Sequence, residues 1–195
     1  MKKLLFLIII SLLLPGCAIL TELTSFSKCE FSLHSMTDPV IGGVKAEGKA
    51  SISDFTFFEV QNVAAQILKG TLPFSIDVNV EAMNPGPSTA AVNSLEWIAI
   101  IDEVQVAAGK VDERVEVAPS GGRAVIPVPV NIDLFDLLKG DTPKTMINFI
   151  MSLYGMGDNT SELTMKIKPG VLIGGKNVVY PDYFTITKEF TAGIN

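Results

Sequence analysis

The chain has 195 residues, 48% of them hydrophobic, a formal net charge of −6, two cysteines and one histidine. An acidic balance argues against nucleic acid as a partner and against a polybasic grip on anionic lipid. Two cysteines exclude a disulfide-stapled scaffold, and a single histidine leaves no partners for a zinc centre or a histidine-based triad.

Lys2 and Lys3 precede an almost unbroken run of Leu, Ile and Phe from Leu4 to Leu14. The run is short for a bilayer span and reads as a signal-peptide core. It ends in Leu14-Pro15-Gly16-Cys17, the pattern of a bacterial lipobox, with Pro15 where small or branched residues are usual. Residues 1–16 are thus expected to be a lipoprotein signal peptide, and Cys17 the first mature residue, with lipid on its sulfur. Losing Lys2 and Lys3 takes the formal charge from −6 to −8, so attachment falls to the acyl chains, at about 0.8 kcal/mol per buried methylene. Residues 17–27 read as a lipidated tether and 28–195 as one domain. Residue 18 is Ala rather than Asp. The inner-membrane retention signal of enteric bacteria is therefore absent, which favours the outer membrane, with the domain in the periplasm and surface display left open.

A first strand is expected over Lys28–Ser35, carrying Cys29 beside Phe31 and Leu33. Cys29 reads as a buried core thiol; the alternative is an intermolecular disulfide. After Gly42-Gly43 a second strand is expected from Val44 to Ser53. The period then changes: Phe57, Val60, Val63, Ala64 and Ile67 share one helical face and Glu59, Asn62, Gln66 and Lys69 another. Thr56 and Glu59 have capping-box spacing and Gly70 is a stop, which predicts a helix over Phe57–Lys69. From Leu72 to Met83 apolar and polar residues alternate, a strand with one face in the core. Asn84-Pro85-Gly86-Pro87 ends it.

Ser94–Ile101 is expected as a strand holding Trp97, followed by a turn at Asp102-Glu103. Short strands are expected around Gly109, then a turn at Pro119–Gly122. Ala124 to Ile132 alternates again, and Pro127 and Pro129 on its outward parity predict an edge strand or a bulge. A short helix is expected at Leu134–Leu138 and another after Thr142-Pro143, with an apolar stripe of Met146, Ile147, Ile150, Met151 and Tyr154. The stripe reads as core. Its alternative is a roof over a cavity between helix and sheet, which makes Met146, Ile150, Met151 and Tyr154 the candidate ligand-binding residues. Strands at Glu162–Lys168, Val171–Ile173, Val178–Tyr180 and Phe184–Phe190 complete the chain. The whole predicts a mainly β fold, an immunoglobulin/fibronectin-III-like antiparallel β-sandwich with two helical insertions.

The run from Leu72 to Leu134 also resembles the late embryogenesis abundant type 2 domain, the water-stress and hypersensitive-response (WHy) domain. The carrying residues are the strand into Asn84-Pro85, Leu95, Ile100 to Asp102, Val104, Val106, Ala108-Gly109, Val117-Ala118-Pro119 with Ser120-Gly121, and the strand to Ile132. Gly86-Pro87 departs from the second Asn-Pro common in the family. The whole chain further resembles lipid-anchored members from Bacteroidetes-type bacteria, through Lys166–Pro169, Gly174–Lys176 and Tyr180-Pro181. The resemblance implies a small sandwich, stress tolerance in plants and undefined envelope roles in bacteria, and no catalytic residues.

No reacting constellation stands out. His34 reads as an ordinary strand residue. Asp102, Glu103, Asp112, Glu113 and Glu116 match no calcium loop and read as a solvated acidic face. No metal, cofactor or catalytic residue is expected. The reading favoured is a non-enzymatic, lipid-anchored envelope protein that binds a protein or apolar partner or protects neighbours under stress; the alternative is a carrier of a lipid or other hydrophobic ligand.

Overall fold

The computed structural model describes residues 14–49, 52–139, 148 and 160–191. Two antiparallel sheets face each other across one apolar core. The first has the order β2-β1-β3-β8, with β1 Glu30–Ile41, β2 Val44–Lys45, β3 Pro73–Asn84 and β8 Gly122–Asp133. The second has the order β10-β9-β5-β6, with β5 Ser94–Ile101, β6 Val104–Val111, β9 Thr160–Ile173 and β10 Lys176–Val179; β11 Phe184–Thr191 also pairs with β9. A small third pair joins β4 Ala90–Val92 to β7 Val115–Val117. The helices are α1 Leu14–Phe26, α2 Phe57–Leu68 and α3 Leu134–Lys139. The fold is the antiparallel β-sandwich with helical insertions that the sequence predicts.

Strand β3 carries the architecture. Phe74, Ile76, Val78, Val80 and Ala82 are all buried, while Ser75, Asp77, Asn79 and Glu81 alternate on the outer face. Ile126, Val128 and Val130 of β8 meet them from the same sheet, and Leu95, Trp97, Ala99, Met165 and Ile167 from the other. Strand β8 pairs only with β3 and is an edge strand, with Pro127 and Pro129 exposed. This is where two residues without an N–H donor can be accommodated.

The two ends of the sandwich are distinct. At one end β3 finishes at Asn84, beside α1 and the start of β1, where Met83 pairs with Glu30. At the other it starts at Pro73, beside α2 and α3; Gly42 N donates to Pro73 O and Leu134 N to Leu72 O. Twelve residues of strand separate them, roughly 35 Å at the usual rise. Helix α1 packs on β4 and β9. The end of β9 near Gly170, which pairs with Ser94 next to β4, therefore lies at the α1 end, and its start at Thr160 lies at the α2 end.

Several boundaries differ from expectation. The first strand is longer, and Cys29 sits in the bend just before it. The second, expected to Ser53, is only Val44–Lys45, and a single 3-10 turn at Ile52–Asp54 leads into α2. Strand β6 runs through Gly109 without a break. Most of the stretch read as a tether is helix: α1 continues to Phe26, with Leu23 and Phe26 buried and Ile19 packed on the core.

Candidate functional site

Cys17 lies in the first turn of α1. The helix is fastened to the sandwich by Leu23 and Phe26, by the Phe26–Phe31 ring contact at 5.4 Å, and by Arg114, whose Nη2 lies 3.1 Å from Glu22 Oε2. The ion pair is solvent-exposed and contributes little beside the buried Leu23 and Phe26. Between α1 and the Asn84–Ser88 loop runs an open groove of about 360 Å³, lined by Leu20, Thr21, Thr24, Lys28 and Pro87 among others. Two of its polar groups are used internally: Thr24 Oγ1 donates to Leu20 O, and the Asn84 amide holds the loop.

Helix α2 is the second candidate surface. Its capping box is present: Glu59 N donates to Thr56 Oγ1 at 3.3 Å, and Thr56 N to Glu59 Oε2 at 2.8 Å. Lys49 Nζ reaches the same carboxylate oxygen at 3.0 Å. The Thr56 hydrogen bonds first, then Lys49, pull the Glu59 pKa down to about 2. Gly70 follows with φ +78°, the left-handed turn that stops the helix. Only Glu59, Val63 and Gln66 are half-buried. Val63 rests on Gly42, where an added Cβ would lie 3.3 Å from it. Phe57, Val60, Ala64, Ile67 and Leu68 form an outward apolar arc; Phe57 is 72% and Leu68 89% exposed. Of the five residues that share the apolar face, Phe57, Val60, Ala64 and Ile67 are exposed and Val63 alone meets the sandwich; the Glu59–Lys49 contact and the Val63–Gly42 approach fix which side of the helix faces the sheet.

The residues Met146, Ile150, Met151 and Tyr154 lie outside the described residues. The acidic residues expected to form one face are dispersed. Asp102 caps the start of β9, accepting from Glu162 N at 2.7 Å, Asp112 pairs with Lys110, and Glu116 with Arg114. Among the described residues no three of His, Cys, Asp and Glu converge on a metal-sized point. His34 is a half-exposed residue of β1 with its Nδ1 3.9 Å from Glu81 Oε2, and Arg123 pairs with the same carboxylate. Cys29 is buried, and burial pushes its thiol up to about 11, so it is a poor nucleophile.

No protein-family profile matches the chain. No curated protein matches it either. Solved structures do. A protein from Archaeoglobus fulgidus is 15% identical, with 84% of this chain and 99% of that one covered and a TM-score of 0.38. AT1g01470 from Arabidopsis thaliana is 9% identical, with 62% and 70% covered and a TM-score of 0.41. A structure described as a candidate late embryogenesis abundant (LEA) protein, At2g46140.1, is 11% identical, with 90% and 79% covered and a TM-score of 0.36. Similarity at this level assigns no activity.

Two features escape a reading of the sequence by type and period. Ile19, Leu23 and Phe26 stand four and three apart, a helical stripe hidden in the supposed tether. Asn84, read as the end of a strand and as part of the Asn-Pro motif, is fully buried. Its Nδ2 donates to Ser88 O at 2.8 Å and Val117 O at 3.2 Å, and its Oδ1 accepts from Gly86 N at 3.0 Å. The Asn-Pro motif here is a clasp between β3, the following loop and β7.

Proposed function

We propose that this is a lipid-anchored, non-enzymatic protein of a bacterial cell envelope, a binding or stress-protective module of the LEA type 2 (WHy) kind, held at the outer membrane through Cys17. The observation that carries the reading is the lipobox-patterned Cys17 at the start of a helix whose next apolar residue, Ile19, already packs on the sandwich core. The lack of a convergent reactive cluster among the described residues supports a non-enzymatic role, and the order of motifs from Leu72 to Leu134 supports the LEA type 2 reading.

The test is incorporation of labelled palmitate into the full chain and into Cys17→Ser, followed by recovery of partners from crosslinked envelopes. Label and envelope fractionation that disappear in Cys17→Ser are the expected outcome; equal labelling of both overturns the anchor. Absence of any specific partner, together with no protection of a client against drying or heating, overturns the module. The second reading, a hydrophobic-ligand carrier, draws on the exposed apolar arc of α2. Native mass spectrometry decides it: a stoichiometric lipid retained by the purified protein supports it and its absence removes it.

A further inference from the structure

Strand β9 outruns its sheet. Its last pairing with β5 joins Gly170 to Ser94. It then continues to Ile173 and turns into β10, which pairs back on it from Lys176 to Val179. Gly174 and Gly175 form the two-residue turn, with φ of +56° and +79°. A Cβ built on either meets nothing within 4 Å among the described residues. Residues 171–179 thus form a finger with an open tip, reaching about 10 Å past Gly170 at the usual rise. Its root is braced. Ser94 Oγ donates to Asn177 Oδ1 at 3.0 Å, Leu172 N to Asn93 Oδ1 at 3.3 Å, and Tyr180 N to Pro169 O at 2.8 Å. Because β9 runs from the α2 end to the α1 end, the finger leaves the sandwich at the end to which α1, with Cys17 in its first turn, is fastened.

We propose that the tip of this finger enters the headgroup interface of the bilayer that holds the lipid of Cys17, as a second contact that needs no acylation. The proposal rests on the anchored reading and extends it: the acyl chains supply the affinity, and the finger fixes which side of the sandwich faces the membrane. Three observations lead there. First, the finger is apolar on both faces. Register puts Val178 with Val171 on one face of the ribbon and Leu172 with Asn177 on the other. Leu172 is 50% and Val178 39% exposed. A protein partner laid against the ribbon covers one face, whereas a fluid interface surrounds the tip and takes both. Second, the charge is complementary to anionic lipid. Between Glu162 and Asp182 there is no acidic residue, and Lys176, exposed beside the turn, is the one charge of residues 171–179. Its stem can lie along the apolar boundary with the ammonium among the headgroups. Third, the surroundings suit the same depth. Half-exposed Tyr183 follows the finger, with Lys168 Nζ 4.9 Å from its ring centre, and half-exposed Leu20 stands one turn beyond Cys17. Tyrosine and aliphatic side chains beside lysines are the composition of a membrane–water boundary.

The experiment reads depth. In the lipidated full chain the Cys17 sulfur is blocked and Cys29 is buried, so one introduced cysteine takes a nitrobenzoxadiazole label. Val178→Cys reports on the finger and Leu68→Cys on the opposite end of the sandwich. The labelled protein is reconstituted in vesicles of phosphatidylethanolamine and phosphatidylglycerol that carry a nitroxide lipid as quencher, and mass spectrometry of the same sample reads the acyl mass on the Cys17 peptide. Expected is quenching several-fold stronger at 178 than at 68, lost when Leu172→Ser and Lys176→Glu are added, with the protein still bound to vesicles. All the altered side chains are exposed, so the core is unchanged in each variant. Equal quenching at 178 and 68 in acylated, vesicle-bound protein overturns the finger and leaves the anchor standing. Quenching at 178 that survives Leu172→Ser with Lys176→Glu also overturns it, because the anchor alone then brings the finger near the lipid. A Cys17 peptide without acyl mass overturns the anchored reading, and the proposal with it.

Discussion

The Trp97 indole lies directly over Gly109 of the neighbouring strand: a Cβ placed on Gly109 would stand 2.6 Å from Trp97 Cζ2 and 2.9 Å from Cε2. The two residues are register partners across β5 and β6, and Trp97 is 5% exposed. Glycine is needed here for the space above its α-carbon. Gly109→Ala must therefore push a packed ring out of place, and a loss of about 1–3 kcal/mol is expected, measured as a lower urea midpoint with unchanged slope. Trp97 is the sole tryptophan, so its emission follows the same transition. Its Nε1 has no acceptor among the described residues, which places native emission at short wavelength and gives a large red shift on unfolding.

Asn84→Ala removes two donors and one acceptor from a fully buried site. It leaves the carbonyls of Ser88 and Val117 and the Gly86 N–H without those partners. Stranded buried polar groups cost about 1–3 kcal/mol, and a destabilisation of that order is expected in urea unfolding. Near-wild-type stability of this variant would reduce the Asn-Pro clasp to decoration.

Glu59 gives a pH signature. Its folded pKa lies near 2 against an ordinary value of 4.5, through the Thr56 hydrogen bonds and Lys49. A lowered carboxylate contributes stability that is fully present above about pH 4.5 and is lost as pH falls through 2. Amide exchange of α2 is expected to rise across that window, and carboxyl NMR titration should find Glu59 near 2. In Glu59→Gln the acid-induced rise in α2 exchange should be absent.

Cys29 has the opposite sign. Burial raises its thiol from 9.0 to about 11. The neutral form is favoured in the fold, so its contribution is intact below pH 9 and is lost as pH climbs toward 11. At pH 7.5 Cys29, read at its own peptide apart from Cys17, should resist thiol reagents in the native protein and react fully in denaturant. Rapid native labelling of Cys29 would contradict the burial and restore an exposed, disulfide-competent thiol.

Periodicity made most of the sandwich legible. The alternation from Leu72 to Met83 identified the buried residues of β3, and Pro127 and Pro129 marked β8 as an edge, because both signals are local consequences of strand geometry. The seating of α2 was not legible. Composition showed which residues are apolar; the side that meets the sheet is decided by Lys49 reaching Glu59 and by Val63 packing on Gly42, contacts made only in three dimensions. For α1, three apolar residues, Ile19, Leu23 and Phe26, are too few to set a period by themselves, and the core they pack on is assembled from strands far along the chain. Of the candidate site, Cys17 came from a motif, and the α2 arc came only from the fold.

The packing of Ile19 has a mechanical consequence. Ala18 alone separates Cys17 from a side chain seated on the core. A lipid on that sulfur would sit on a stiff post rather than a leash, setting the tilt of the sandwich as well as its address. The turn at Asp102-Glu103 and the α2 arc would then stand at a fixed altitude, roughly the length of β3 above the bilayer. Whatever met them would have to come to that height, since a domain carried on such a post could not bow down to the bilayer.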